Sequence, residues 1–309
     1  MYALNNIKQQ MSIDNYLNPV GPRSPVSAIM DGKKAEEPEE HEEGAEQIPL
    51  PSKGVFYMPP NFLKEEIWVR PMDFRDENIL TTEKYITEGT VFDKIVTAII
   101  QEKNITAGKL VPIDRDTILL WLRANALGKI MSVDYKCVNP KCNKPENVAT
   151  WDLSEIKIPE YDPEVLKELQ DKGELRVVTP LKSVVVYVKV PLIEDSNDTQ
   201  KKYLKRKEMN EEDVDTLATT ALSLIVSGVE IDGKIVRKKD AIMNYFTKMK
   251  LPISDSRWIR REAKKVSLKY DTAKDLVCKN CGHVQENVEM PIVHQNFLWL
   301  DGEAPLGAS

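Results

Sequence analysis

The four cysteines of this 309-residue chain fall into two tight pairs, Cys137-Val-Asn-Pro-Lys-Cys142 and Cys278-Lys-Asn-Cys281. About 135 residues lie between the pairs. A turn that presents two thiolates to one ion must be short and must tolerate unusual backbone angles. Asn139, Pro140 and Gly282 suit that need. Each pair is followed by a polar loop and a strand-like run, as in the knuckles of a zinc ribbon. Four thiolates at about 2.3 Å from Zn²⁺ make a closed tetrahedral site with no position left for water or substrate. Such a site is structural. The expected metal ligands are therefore Cys137, Cys142, Cys278 and Cys281. A single shared ion would tie the middle of the chain to its end and turn residues 143–277 into an insertion within one metal-anchored domain. Other arrangements stay open: unligated thiols, transient disulfides, two separate sites with the second completed by His283 or His294, or a metal shared between chains. His283 is placed on the knuckle surface. A redox role for Cys278-x-x-Cys281 lacks the flanking strand and helix of a thioredoxin-like site.

The rest of the composition describes a globular protein with its own core: 30% charged and 41% hydrophobic residues. No apolar run approaches the ~18–20 residues of a membrane span. The N-terminus lacks the basic-then-apolar pattern of a signal peptide. A cytosolic setting, where cysteines stay reduced, is the expectation. The net charge of −6 is concentrated in the first fifty residues, which hold four basic and nine acidic side chains. The body is almost neutral, unlike a basic nucleic-acid binder.

Four parts follow. Residues 1–47, with four prolines and a run of glutamates from Glu36 to Glu46, are expected to be a disordered acidic tail. Residues 48–158 form an N-terminal α+β part with the first knuckle. It opens with an extended arm, Ile48–Pro60, turning at Ser52-Lys53-Gly54 and laid on the body. A strand over Glu66–Arg70 follows, then a helix capped by Asp73, a helix over Val91–Gln101, and a helix capped by Asp114 or Asp116 and stopped by Gly128. Strands over Met131–Lys136 and Asn147–Leu153 flank the first pair. Residues 159–274 are a helix and hairpin insertion. Leu175–Val178 pairs with Val184–Val190, and a charged helix covers Thr199–Met209. Asn210 caps an amphipathic helix ended by Gly228. Val229–Val236 turns at Asp232-Gly233. Two more helices follow, the second capped by Ser254. Residues 275–309 carry the second knuckle and strands over Val288–Ile292 and Asn296–Leu300. The order helix, strand, Cys pair, strand occurs twice, by duplication or by coincidence. The expected fold class is α+β: helices with short antiparallel strands and β-hairpins, closed by a zinc ribbon-like Cys₄ site.

Several chemistries find no support. Gly228-x₄-Gly233-Lys234 is followed by Ile235 where a phosphate-binding loop needs Ser or Thr. The three histidines, His41, His283 and His294, form no nucleophile set with Ser or Cys. No paired carboxylates are visible. The chain is expected not to be an enzyme. Basic residues at Lys201–Lys207, Arg237–Lys239 and Arg260–Lys265 are interspersed with glutamates and lack the interleaved aromatics that stack bases. They read as solvated helix faces.

The order of short motifs resembles one family. The arm LPSKGVFY (Leu50–Tyr57), the strand IWVRPM (Ile67–Met72) and the helix FRDENILTT (Phe74–Thr82) are similar to the opening of baseplate hub and tail-assembly proteins of T-even-like contractile-tailed phages. The hairpin VEIDGKIV, the segment LPISD (Leu251–Asp255), VCKNCGH (Val277–His283) and the closing NFLWL (Asn296–Leu300) continue the likeness, which covers roughly residues 48–300. The long acidic N-terminus departs from that pattern. The resemblance implies a non-enzymatic structural component or assembly chaperone. Its partners would be hub or tail-tube proteins, with no small-molecule substrate, membrane or nucleic acid. It would act in the host cytoplasm during assembly, with the virion tail baseplate as its further location. The alternative is a zinc-ribbon nucleic-acid-binding or transcription-associated adaptor, and a metal-stabilised enzyme is a third reading.

Overall fold

The N-terminal arm is held by a carboxylate that belongs to a helix. The computed structural model describes residues 41–57, 65–209, 217–290, 292 and 295–298. The chain divides into Met1–His41 and Glu42–Ser309, and all elements named below lie in the second unit. Strand β1 (Glu46–Pro49) pairs antiparallel with β2 (Glu66–Val69), with Ile48 opposite Ile67. Beyond β1 the chain turns through Lys53 and Gly54, both at positive φ, and buries Leu50, Phe56 and Tyr57. Asp114, fully buried, receives the Ser52 backbone N–H at 3.0 Å, the Ser52 hydroxyl at 2.5 Å and the Tyr57 hydroxyl at 2.6 Å. Burial raises its carboxyl above the ordinary value, and these three bonds pull it back. The arm then crosses Gly173, whose φ is +67° and where an added Cβ would lie 3.0 Å from the Val55 carbonyl oxygen.

Strand β2 runs into a second anchor. Arg70 forms a bidentate pair with Asp76 at 2.7 and 2.9 Å, and it also donates to the Ala98 carbonyl. Asp76 belongs to α1 (Phe74–Leu80), which Asp73 caps as expected in a reciprocal capping box. Then come α2 (Glu83–Thr87), α3 (Val91–Ile99) and α4 (Pro112–Leu127). Neither Asp114 nor Asp116 caps α4. Its cap is Val111, whose N–H is satisfied by the Tyr57 hydroxyl at 3.0 Å, and Pro112 takes the first position, where no N–H is needed. This frees Asp114, two residues in, to serve the arm.

A four-stranded antiparallel sheet, in the order β5-β6-β7-β8, forms the second layer. It is built from β5 (Leu175–Val178), β6 (Val185–Val188), β7 (Val226–Ile231) and β8 (Lys234–Val236). Around it lie α5 (Pro163–Lys172), α6 (Ile193–Met209), α7 (Leu217–Ile225), α8 (Lys239–Lys248) and α9 (Ile253–Ala263). Helix α9 packs on β5 and β6, and α7 and α8 on β7. Helix α6 starts earlier than Thr199 because Ile193 is buried. Gly228 does not end α7. It lies inside β7, where Ile235 and Tyr187 crowd the space a Cβ would need, at 3.2 and 3.4 Å. The Asn210 cap falls outside the described residues. Asp232 and Gly233 turn the β7–β8 hairpin at φ 49° and 72°, as expected for a tight hairpin. Ser254 does not cap α9: Pro252 is the cap and Ser254 lies within the first turn. Asp255, fully buried, accepts the Leu181 and Lys182 N–H groups, both at 3.0 Å.

One hydrophobic core runs from Ile48 to Leu298. The expected boundary of the acidic tail at residue 47 is corrected by β1, which begins at Glu46. In addition, Glu42 lies within 3.7 Å of Arg70 and Glu46 accepts from the Trp121 indole. Residues 1–40 lie outside the described residues. Val288–Ile292 is not a strand as a whole, since pairing ends at Val288, and Gln295–Leu298 makes a helical turn with Phe297 and Leu298 buried.

Two outcomes are expected. Asp114→Ala, which orphans three buried donors, should lower stability by about 3–5 kcal/mol in urea unfolding, and Tyr57→Phe by about 1–2 kcal/mol. A chain starting at Leu50 should melt well below one starting at Glu42. Losing the burial of Ile48 alone is worth about 2 kcal/mol; equal melting would show that β1 contributes nothing.

Candidate metal centre

Both cysteine pairs sit at the tips of two-stranded hairpins. In the first, β3 (Ile130–Lys136) pairs with β4 (Glu146–Asp152) in unbroken register, from Ile130 opposite Asp152 to Lys136 opposite Glu146. In the second, β9 (Lys274–Val277) pairs with β10 (Val284–Val288), with Val277 opposite Val284. The inner face of the first hairpin buries Met131, Ala149 and Trp151 in the core. Its tip therefore projects on a fixed stem. The Trp151 indole N–H donates to the Thr272 carbonyl at 3.0 Å, just before β9, and Lys274 donates to the Thr150 carbonyl. The two stems are thus held side by side from below.

At the tips the chain makes two tight turns. The Asn139 side chain accepts from the Lys141 N–H, and the Cys142 N–H bonds the Asn139 carbonyl. In the second turn the Gly282 N–H bonds the Cys278 carbonyl, with Gly282 at φ 71°. The Cys278 N–H bonds the His283 carbonyl. The turns bring the four expected sulfurs together, all within 4.8 Å of one another. Across the pairs, Cys137 lies 3.7 Å from Cys281, and Cys142 lies 3.8 Å from Cys278. A tetrahedral ion at about 2.3 Å from each sulfur sets the sulfurs about 3.8 Å apart. The set fits one shared ion. His283 is not among the grouped ligands and contributes its backbone carbonyl instead. His294 lies outside the described residues.

Asn147, which is not among the expected ligands, completes the site. From β4 its amide donates to the Cys278 sulfur at 3.3 Å and its oxygen accepts the Lys279 N–H at 2.9 Å. Asn139 donates toward the Cys281 sulfur at 3.6 Å. The tripeptide Glu146-Asn147-Val148 recurs as Glu286-Asn287-Val288 after the second pair, but without its geometry. Asn287 sits at φ 54° where the β9–β10 register shifts, and its N–H goes to Asp275.

The electrostatics follow from four thiols in contact. Burial works to raise Cys278. The N–H groups of Cys281 and Asn280 and the Asn147 amide outweigh it and bring the thiol down to about 6. Cys142 is pushed up to about 12 by burial and then by its sulfur neighbours. One thiolate is favoured and its charge holds a neighbour protonated. A divalent cation removes that conflict, because each thiolate then faces the ion instead of only its neighbours.

A family model described as T4 bacteriophage base plate protein matches residues 50–297, a span that opens in the arm and takes in both hairpins. No curated protein and no solved structure matches the chain. Among the described residues no helix is long and apolar enough to cross a membrane.

Asn147→Ala should cost about 1–3 kcal/mol, because it leaves the Lys279 N–H without its acceptor and removes a donor to sulfur. A thermal melt superimposable on wild type would remove Asn147 from the account of how the hairpins are joined.

Proposed function

The chain belongs to the T4 bacteriophage base plate protein family, and from that premise we propose that it is a non-enzymatic hub or tail-assembly protein of a contractile-tailed phage. It contacts hub or tail-tube proteins during assembly in the host cytoplasm, as a structural component of the virion tail or as a chaperone that departs. The observation that carries this reading is the family match, which spans nearly the whole unit beyond Glu42. The rigid stems and the pinned arm support it. They describe a body that presents a fixed surface to others.

We propose further that Cys137, Cys142, Cys278 and Cys281 together hold one structural Zn²⁺ in a zinc ribbon-like site. The sulfur spacing supports this reading, as does the all-sulfur donor set, which selects zinc over hard cations. The ion supplies no chemistry to a substrate. It locks hairpin β3–β4 to hairpin β9–β10, and Asn147 and the two turns orient the sulfurs for it.

Two measurements test these readings. Tagged protein is purified from phage-producing cells through a high-salt wash, and its companions are quantified by mass spectrometry. Tail or baseplate proteins in fixed stoichiometry are the expected result. Polymerase or ribosomal companions without virion proteins would replace the reading with a nucleic-acid-associated adaptor. For the metal, elemental analysis should find one zinc per chain. Cys137→Ser and Cys281→Ser should lose it and unfold or aggregate, since structural zinc is worth roughly 10–16 kcal/mol of binding free energy. A soluble serine variant with unchanged melting would end the structural-zinc reading.

A further inference from the structure

We propose that the exposed side of α9, with the adjoining β5–β6 loop, is a docking face for another baseplate protein, and that it takes an acidic segment bearing an aliphatic side chain at one end. The proposal rests on the baseplate reading above.

The face begins with two aliphatic side chains. Leu181 is 67% exposed and Ile253 is 71% exposed. A single exposed aliphatic side chain is ordinary. Here both belong to segments that are fixed to one another. Asp255, inside the first turn of α9, takes the N–H groups of Leu181 and Lys182 at 3.0 Å each, so the loop tip cannot move independently of the helix. The base of the loop is closed by the Ser183 N–H on the Thr179 carbonyl and by the Val184 N–H on the Thr179 hydroxyl. Ser183 holds a positive φ of 52° to make that turn. An apolar pair whose backbone is already ordered loses little entropy on contact, which is what an interface anchor requires.

From Ile253 the same side of the helix continues at four-residue steps through Arg257 and Arg261, then Lys264 and Lys265, all exposed. At about 1.5 Å per residue, Arg261 lies about 12 Å along the axis from Ile253. Arg257 and Lys264 have no ion-pair partner among the described residues. Glu262 reaches Arg261 at 3.6 Å and Lys265 at 2.5 Å, one carboxylate among four cations. The stripe is therefore net positive, and its complement is acidic.

The occupant is a protein segment and not nucleic acid. The aliphatic end adds nothing to a phosphate contact, and the Trp258 ring, the one aromatic on this stretch of helix, is covered by the Arg261 guanidinium 4.0 Å from its centroid. Nor does the helix suit a lipid surface, because its apolar side chains Ile259 and Ala263 are already buried in the core.

The test places a photo-cross-linking p-benzoylphenylalanine at position 253 of the full chain in phage-producing cells, with the adduct identified by mass spectrometry. The expected adduct is an acidic stretch of another virion protein. Its yield should fall about tenfold or more in R257E/K264E, with R257Q/K264Q read in its place if the reversal disturbs the melt. An adduct with nucleic acid, with residues 1–40 of the chain itself, with a second copy or with a non-acidic stretch overturns the docking face. So does an undiminished yield in the charge variants. No adduct while tail proteins still co-purify overturns the docking face and leaves the baseplate reading standing. Absence of tail proteins from the purified material overturns the reading beneath it as well.

Discussion

The buried carboxylate of Asp114 is the constraint around which the N-terminal half is arranged. Removing a carboxylate from water costs several kcal/mol unless its lone pairs are filled. Here Ser52 and Tyr57 fill them, across 62 and 57 residues of sequence. The dependence is mutual: the arm's donors would be orphaned without the acid, and the acid would be unpaired without the arm. The same device recurs. Asp76, Asp114 and Asp255 are the buried aspartates among the described residues, and each is the third residue of its helix. There a carboxylate still sees the positive end of the helix while its oxygens reach a neighbouring segment. Asp76 receives Arg70 from β2, Asp114 receives the arm, and Asp255 receives the β5–β6 loop. Three helix starts thus serve as pegs for three non-helical stretches.

These pegs explain what was and was not legible in the sequence. An aspartate near a helix start reads as a cap, because capping is the local option. Asp73 is one. Asp114 is not, because Pro112 and the Tyr57 hydroxyl between them remove the need for a local cap, and the partner that claims it lies far off in sequence. Ser254 invites the same local reading, and Pro252 already occupies the cap. Gly228 has the local pattern of a helix stop, but it is a strand residue whose missing side chain makes room for Ile235 and Tyr187. That requirement comes from the neighbouring strands, so no local pattern records it. The hairpins at Asp232-Gly233 and around the first cysteine pair were legible because turn chemistry and strand alternation are local signals.

The sulfur cluster shows the same division. Short spacing within each pair announced two turns, and the turns formed as their Asn, Pro and Gly residues suggest. That the two pairs meet depends on contacts with no sequence signature: the Trp151 indole on Thr272, Lys274 on Thr150, and above all Asn147 reaching Cys278 and Lys279. These bonds align the hairpins from stem to tip before any ion is considered. The cluster is the end point of that docking.

The long interval between the pairs also sets a timetable. During synthesis Cys137 and Cys142 are made first, and about 135 further residues follow before Cys278 and Cys281. The first hairpin must wait, thiols uncovered, while the whole four-stranded sheet is made. Closing so long a loop carries an entropy cost that grows only slowly with its length, and a folded insertion shortens the effective span. Joining the hairpins is then a late event that reports a chain complete through Cys281. A truncated product, however well its sheet had folded, would be left with an unmatched thiol pair, marking it as unfinished.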